Sequence, residues 1–402
     1  MTERNLYLEQ LKPFISKPQI KVLTGIRRGG KSTVMKLLRE YLIKSGIAEN
    51  KIILANFESF DFADMDTAKR LYDFVKDKIT EKQRYYLLLD EIQEIAEWEK
   101  AVNAFQIDFD VDIYLTGSNS RLLSSELATY LAGRYVEFQI FTLSYNEFLD
   151  FRKKYLPEKS ANFTDYLRLG GFPVIHIFDY EQDTAYKIIF DIYSSVLLRD
   201  SIQHNNIRDV ELLERVVKYA FDNIGNTFSG KNVADYFKSM QRKIDVNTVY
   251  NYLSALESAF VLYRVSRYDV KGKEILKTQE KFYLGDVGLL YAVMGFRDRL
   301  ISGILENIVF LELKRRGYQV FIGKVDDKEI DFIAEKRNEK IYIQVAYKLD
   351  SEQTVEREFS VLQSIKDNFP KYVITTDEFW QEDIDGIKHL HIADFLTRAE
   401  YS

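Results

Sequence analysis

The sequence predicts an α/β protein: a parallel sheet with helices on both faces, then a helical connector, a winged helix and a second, small α/β domain. Three observations carry this expectation. Short apolar runs alternate with amphipathic stretches over the first third, the rhythm of βαβ units. The pattern then turns helical from about Ser144 to Gly225, and afterwards runs helix, turn, helix, hairpin. The 402 residues are enough for two or three domains.

The elements follow in order. Ile20–Thr24 is a short strand, and Lys31 to about Lys44 an amphipathic helix with Val34, Leu37, Leu38, Tyr41 and Leu42 on one stripe. Residues 52–57 are a second strand and 65–80 a helix. Tyr85–Leu89 is a near-continuous apolar run, as a strand buried on both faces requires. A helix over 94–105 and a strand over Val111–Thr116 complete this part. Later, Gly170-Gly-Phe-Pro173 reads as a turn. Lys231–Met240 and Val246–Ala259 are helical segments around a break at Gln241–Asp245. The apolar runs Phe260–Val265 and Lys281–Leu284, joined by the polar stretch Asp269–Lys277, read as a hairpin. A helix over 303–316 and strands near 318–322, 329–334, 340–347 and 371–376 follow. The spans expected are 1–155 for the first domain, 156–225 for the connector, 226–300 for the winged helix and 301–402 for the last domain.

Composition excludes several chemistries. Hydrophobic residues at 46% and charged residues at 29% fit an ordinary globular protein with large cores. With no cysteine, there is no disulfide framework, thiolate zinc site or cysteine nucleophile. The opening MTERNLYLEQLKPF lacks an apolar signal region, and no apolar stretch is long enough to span a bilayer. A cytoplasmic protein without membrane contact is therefore expected. A net charge of −6 argues against a general basic coat for nucleic acid.

Gly25-Ile-Arg-Arg-Gly-Gly-Lys31-Ser32 satisfies G-x-x-x-x-G-K-[ST], with a strand before it and a helix after. Gly25, Gly29 and Gly30 let backbone N–H groups turn inward as a nest for phosphate oxygens. The helix start adds its positive dipole end, with Thr33 in its first turn. Lys31 brings a full charge toward the β- and γ-phosphates, and the Ser32 hydroxyl is a hard oxygen ligand for Mg²⁺. Arg27 and Arg28 either contact phosphate or shape the loop. A dinucleotide fingerprint fails, because G-x-G-x-x-G is absent.

The remaining site residues come from strand ends. Asp90 and Glu91 follow the apolar run at the end where open α/β sheets bind ligands. Asp90 is expected to assist the metal and Glu91 to polarise water. Ser118 and Asn119, just past Val111–Thr116, are candidate sensors of the γ-phosphate. Arg134 is a candidate for stabilising developing charge, in cis or from a neighbouring subunit of a homo-oligomer.

The motifs GIRRGGKST, LLLDEIQ, LTGSNSRLL, LAGRYVEF with TLSYNEFL, and GGFP occur in that order. Together they resemble the bacterial and archaeal AAA-type ATPases fused to a C-terminal domain of unknown function, number 4143, over essentially the whole chain. The resemblance implies that Lys31, Ser32, Asp90 and Glu91 carry ATP and magnesium chemistry and that Asn119 or Ser118 is the sensor. It also implies a winged helix and a nuclease-like fold of the PD-(D/E)XK kind in the C-terminal part. Glu306, Asp331, Gln344 and Lys348 fall in that order. However, Gln344 stands where a carboxylate is expected and Ala346 where the lysine belongs. Lys348, two residues on, is expected to share the strand face with 344 and 346. The domain is accordingly expected to be degenerate, without nuclease activity.

Residues 228–284 hold ten Lys and Arg (231, 238, 242, 243, 264, 267, 271, 273, 277, 281) against six Asp and Glu. Such a basic island suits contact with a phosphate backbone, with Asn247, Thr248, Tyr250 and Asn251 offered toward a groove. His389-x-His391 lacks a third ligand and reads as a core or edge pair. The function expected is magnesium-dependent ATP hydrolysis driving or gating a process on DNA. The alternative is a slow ATP-driven switch of protein assembly or signalling without DNA.

Overall fold

A computed structural model describes residues 4–119, 133–203, 207–239, 244–272, 274–378 and 383–401. The expectations for Ser120, Ala132, residues 240–243 and Lys273 lie outside the described residues. The chain divides into two compact units. One comprises residues up to Phe141 with Ser258–Phe260; the other comprises Thr142–Glu257 and Val261–Ser402.

In the first unit, β1 (Ile20–Thr24), β2 (Ile52–Asn56), β3 (Tyr85–Asp90), β4 (Val111–Thr116) and β5 (Tyr135–Gln139) form a parallel sheet. Their order is β2-β3-β4-β1-β5. Successive side chains of a strand point to opposite faces, and β3 supplies both cores. Tyr85, Leu87 and Leu89 pack with Leu71, Val75, Trp98, Val102 and Phe105. Tyr86 and Leu88 pack with Tyr7, Leu11, Val34 and Leu38 on the other face. Helices α1 (Asn5–Leu11) and α2 (Lys31–Lys44) thus cover one face, and α3 (Ala68–Lys78) and α4 (Trp98–Asp108) the other. This is why the β3 sequence is apolar without alternation.

A fully enclosed charged pair lies inside this unit. Lys21 of β1 and Asp112 of β4 are fully buried and joined by a salt bridge. The remaining capacity is filled: Lys21 Nζ donates to the Lys17 carbonyl at 2.9 Å, while Asp112 Oδ2 accepts from Ser16 N–H at 2.7 Å and Tyr114 OH at 3.0 Å.

The second unit opens with a helical part. Ser144 and Glu147 exchange side-chain and backbone hydrogen bonds to start the helix Tyr145–Tyr155. The helix Tyr145–Tyr155, inside the span 1–155 expected for the first domain, falls in the second unit. The reason is local pairing: Leu143 N–H donates to Gly171 O at 2.7 Å, and Tyr166 OH to Leu143 O at 2.9 Å. The Gly170–Pro173 turn is thereby bound to the helix start.

The helices Gly230–Ser239 and Val246–Ser258 precede an antiparallel hairpin, β7 (Leu262–Asp269) and β8 (Glu274–Leu284). A short β6 (Thr227–Phe228) pairs with β8. After the helix Ile301–Arg315 come β9 (Gln319–Val325), β10 (Lys328–Lys336), β11 (Glu339–Val345), β12 (Lys371–Thr375), β13 (Asp383–Ile384) and β14 (Ile387–His391). All belong to one sheet in the order β13-β14-β12-β11-β10-β9-β7-β8-β6. Because β7 pairs in parallel with β9, the expected boundary at 300/301 does not divide the sheet. Among the described residues no helix is long and apolar enough to cross a membrane.

Candidate functional site

β1 ends at Thr24 and α2 begins at Lys31, so six residues must reverse the chain. Gly25 has φ +138°, and a Cβ there would lie 2.0 Å from the Ile140 carbonyl oxygen. Only glycine fits. Gly30, at φ +106°, opens α2 without a side chain to occupy the first N–H groups. Those donors and the helix dipole face the loop interior. Lys31 is buried, and its Nζ donates to the carbonyls of Gly25 at 3.0 Å and Ile26 at 3.3 Å.

The carboxylates lie across the sheet from this loop. Asp90 ends β3, and its Oδ1 accepts the Thr116 hydroxyl while Oδ2 accepts Asn56 Nδ2 at 3.0 Å. The Ser32 side chain lies beside the Asp90 carboxyl and favours its charged form. Burial pushes the Asp90 carboxyl above its usual range, and the Thr116 hydrogen bond and the nearby Ser32 side chain pull against that rise. Glu91 adopts a left-handed backbone, φ +55°, held by its N–H on Thr116 Oγ1 at 2.8 Å. Its Oε1 lies 3.8 Å from Lys31 Nζ, and its Oε2 accepts Gln93 Nε2 at 2.6 Å. Lys31, Ser32, Asp90 and Glu91 are therefore brought together.

The other expected residues divide. Ser118 and Asn119 are buried just beyond β4, the strand between β1 and β3. Gly117 N–H donates to Leu23 O at 3.2 Å, which ties their turn to the end of β1. Arg27 pairs with Glu58 at 2.6 Å, and Arg28 is exposed at φ +63°. Thr33 is half-buried in the first turn of α2. Arg134 lies at the wrong end of the sheet for a role in cis. Its carbonyl accepts the Ile20 N–H at 2.8 Å, and its guanidinium donates to Asn103 at 3.2 Å. The length of β1, at about 3.3 Å per residue, separates it from the loop. What is left of that expectation is a role in trans.

Sequence reasoning missed three residues here. Thr116 and Asn56 are strand-end neighbours of Asp90 in the sheet register. Arg4 is buried, with its guanidinium donating to Gly29 O and Phe141 O, both at 2.8 Å, and its charge 4.6 Å from the Tyr7 ring centroid. Alternation to a strand's last polar residue could have flagged Thr116. No sequence signal marks Arg4.

Two family models match the chain, one described as an AAA domain over residues 17–149 and one as a domain of unknown function, DUF8612, over 160–300. The second differs in number from the domain that the motif resemblance suggested. An uncharacterized protein of Haemophilus influenzae is 38% identical over 401 residues, 99% of each chain. The chain belongs to the family of that protein. An uncharacterized Methanocaldococcus jannaschii protein is 30% identical, covering 92% of this chain and 86% of its own. A Walker-type ATPase of Pyrococcus abyssi has a similar structure with a TM-score of 0.48 and 14% identity, covering 73% of this chain and 96% of its own. The AAA domain of this family member holds the loop and both carboxylates.

In the second unit of this family member, Glu306, Asp331 and Gln344 line one cavity of about 810 Å³, with Lys348 at its wall. Asp331 N–H donates to Gln344 Oε1, and Gln344 Nε2 to Glu358 Oε2, both at 2.8 Å. Lys348 does not share the strand face with residues 344 and 346. β11 stops at Val345, and Lys348 is exposed with its Nζ 5.5 Å from the Tyr347 ring centroid. His389 Nε2 meets Thr375 Oγ1 at 2.8 Å and His391 Nδ1 accepts Ala393 N–H at 3.2 Å, so both are structural.

Among the described residues, four of the ten basic residues are paired with carboxylates. Arg264 pairs with Glu257 and Glu280, Arg267 with Glu329, and Lys271 with Asp326. Lys281 is buried among carboxylates. Lys231, Lys238, Asn247 and Asn251 are exposed, while Thr248 and Tyr250 are half-buried. Arg242, Lys243 and Lys273 lie outside the described residues, as does the side chain of Lys277.

Proposed function

We propose that the first unit binds ATP with Mg²⁺ and hydrolyses its terminal phosphoanhydride bond. One observation carries this reading: Lys31 and Ser32 open the helix after one glycine loop, with Lys31 Nζ 3.8 Å from Glu91 and the Ser32 side chain beside Asp90. The donor set suits the cation, since a hydroxyl and a carboxylate are hard oxygens. Ser32 and Asp90 would hold it, and bound magnesium would offset phosphate charge. Lys31 exchanges its loop carbonyls for phosphate oxygens. Glu91, fixed by Gln93, orients water for in-line attack. Ser118 and Asn119 sense the γ-phosphate, and Arg134 acts from a neighbouring subunit of a homo-oligomer.

For the purpose of hydrolysis, the ion pairs of Arg264, Arg267, Lys271 and Lys281 favour a switch of assembly or signalling over a process on DNA. A DNA contact through a winged helix would rest on Lys231, Lys238, Asn247 and Asn251. The test is ATP turnover of wild type, Lys31→Ala and Glu91→Gln with and without duplex DNA. The reading expects turnover in wild type, loss in both variants and no stimulation by DNA. Turnover retained in Glu91→Gln contradicts its role, and strong stimulation restores the DNA reading.

A further inference from the structure

Three carboxylates that line the cavity of the second unit surround a buried lysine. Lys281 Nζ, on β8, lies 2.8 Å from Glu329 Oε1, 3.3 Å from Glu306 Oε2 and 3.7 Å from Asp331 Oδ1. The lysine side chain is 4% exposed, so its charge has left bulk water. The carboxylates are held in turn by other groups. Tyr283 OH donates to Glu306 Oε2, and Val345 N–H to Asp331 Oδ2, both at 2.8 Å. Where another carboxylate would serve a metal, the neutral Gln344 amide bridges Asp331 N–H and Glu358.

We propose that Lys281 is the resident cation of this cavity: its ammonium fills the place among Glu306, Glu329 and Asp331 that a divalent metal would take, and so excludes the metal. This inference rests on different residues from the nucleotide reading and is independent of it. Two arguments support it. The three oxygens meet the nitrogen at 2.8–3.7 Å, longer than the about 2.0–2.6 Å of magnesium or calcium bonds to oxygen. Among the described residues no group of three acidic or histidine donors is spaced to hold a metal. Burial by itself lowers the Lys281 ammonium, but the pull of the three carboxylates outweighs it and raises it above its usual value. Burial pushes the Glu306 and Asp331 carboxyls upward. A permanent internal charge also joins β8 to β10 and to the helix Ile301–Arg315, which a dissociable ion would do only when bound.

The test is Mn²⁺ binding to nucleotide-free protein, followed by electron paramagnetic resonance. Lys281→Met keeps the stem and removes the charge. It is expected to gain one site, about tenfold or more tighter than any in wild type. Adding Asp331→Asn is expected to abolish the gain. A folded Lys281→Met protein that gains no site overturns the proposal. Should that variant fail to fold, wild type and Asp331→Asn decide the matter. Wild-type Mn²⁺ binding that Asp331→Asn removes overturns the proposal, and binding that the substitution leaves unchanged supports it.

Discussion

The Thr116 hydroxyl donates to Asp90 Oδ1 and accepts the Glu91 N–H at 2.8 Å, so one side chain on β4 sets both carboxylates at the end of β3. Thr116→Val keeps the shape and strands both partners. A buried group left without its hydrogen bond costs about 1–3 kcal/mol. Magnesium-dependent ATP turnover should fall about tenfold to a hundredfold, read by a steady-state assay. Unchanged turnover would show that Thr116 only fills space.

Arg4 reaches the loop from a position 25 residues upstream, through Gly29 O. Its guanidinium holds the loop backbone at Gly29, so Arg4→Ala should act through loop geometry. Nucleotide affinity, read by calorimetric titration, should weaken about tenfold, the effect of about 1–2 kcal/mol from lost charged hydrogen bonds. Affinity equal to wild type would reduce Arg4 to a packing role.

The Lys21–Asp112 pair is completely enclosed. Removing one partner strands a buried charge, at about 3–5 kcal/mol. Asp112→Ala should therefore unfold the first unit at markedly lower denaturant. The double variant Lys21→Met, Asp112→Leu should recover much of the loss. A single variant as stable as wild type in urea melts would contradict the pairing.

His176 is buried, with Nε2 on the Gly170 carbonyl at 2.9 Å, and burial lowers its ring to about 3. The unfolded ring titrates near 6.5. The neutral ring's contribution is thus whole above about 6.5 and is lost as pH falls toward 3. Asp286, pushed up to about 6 by burial, works the other way: its penalty grows as pH rises through that value. Wild type alone therefore shows a blunted pH trend. The advantage of wild type over His176→Gln should shrink between pH 7 and pH 5 in thermal melts. An advantage independent of pH would mean the ring titrates normally.

Strands β1 to β4 of the first unit were legible because each is a short, mostly apolar run, and Leu87 and Leu88 of β3 pack into different clusters; β5, Tyr-Val-Glu-Phe-Gln, is not such a run. Loop spacing and the Asp90-Glu91 pair made four site residues legible as well. Arg4, Thr116 and Asn56 were not, since each is an ordinary residue whose role exists only through a distant partner. Charge counting over 228–284 left out part of the balance for the same reason. The carboxylates that neutralise Arg267, Lys271 and Lys281 lie on Glu306, Asp326, Glu329 and Asp331, outside that window. Lys348 was misplaced because periodicity extends a strand that the chain ends at Val345.

The central claim is that the Gly25–Ser32 loop grips a triphosphate beside Asp90 and Glu91. Calorimetric titration of magnesium–ATP into wild type and Lys31→Ala tests it most directly. The account predicts one saturable site in wild type and at least about a hundredfold loss in the variant, the effect of about 3 kcal/mol from a buried charge on phosphate. No binding heat in folded wild type, or equal affinity in both proteins, would contradict it.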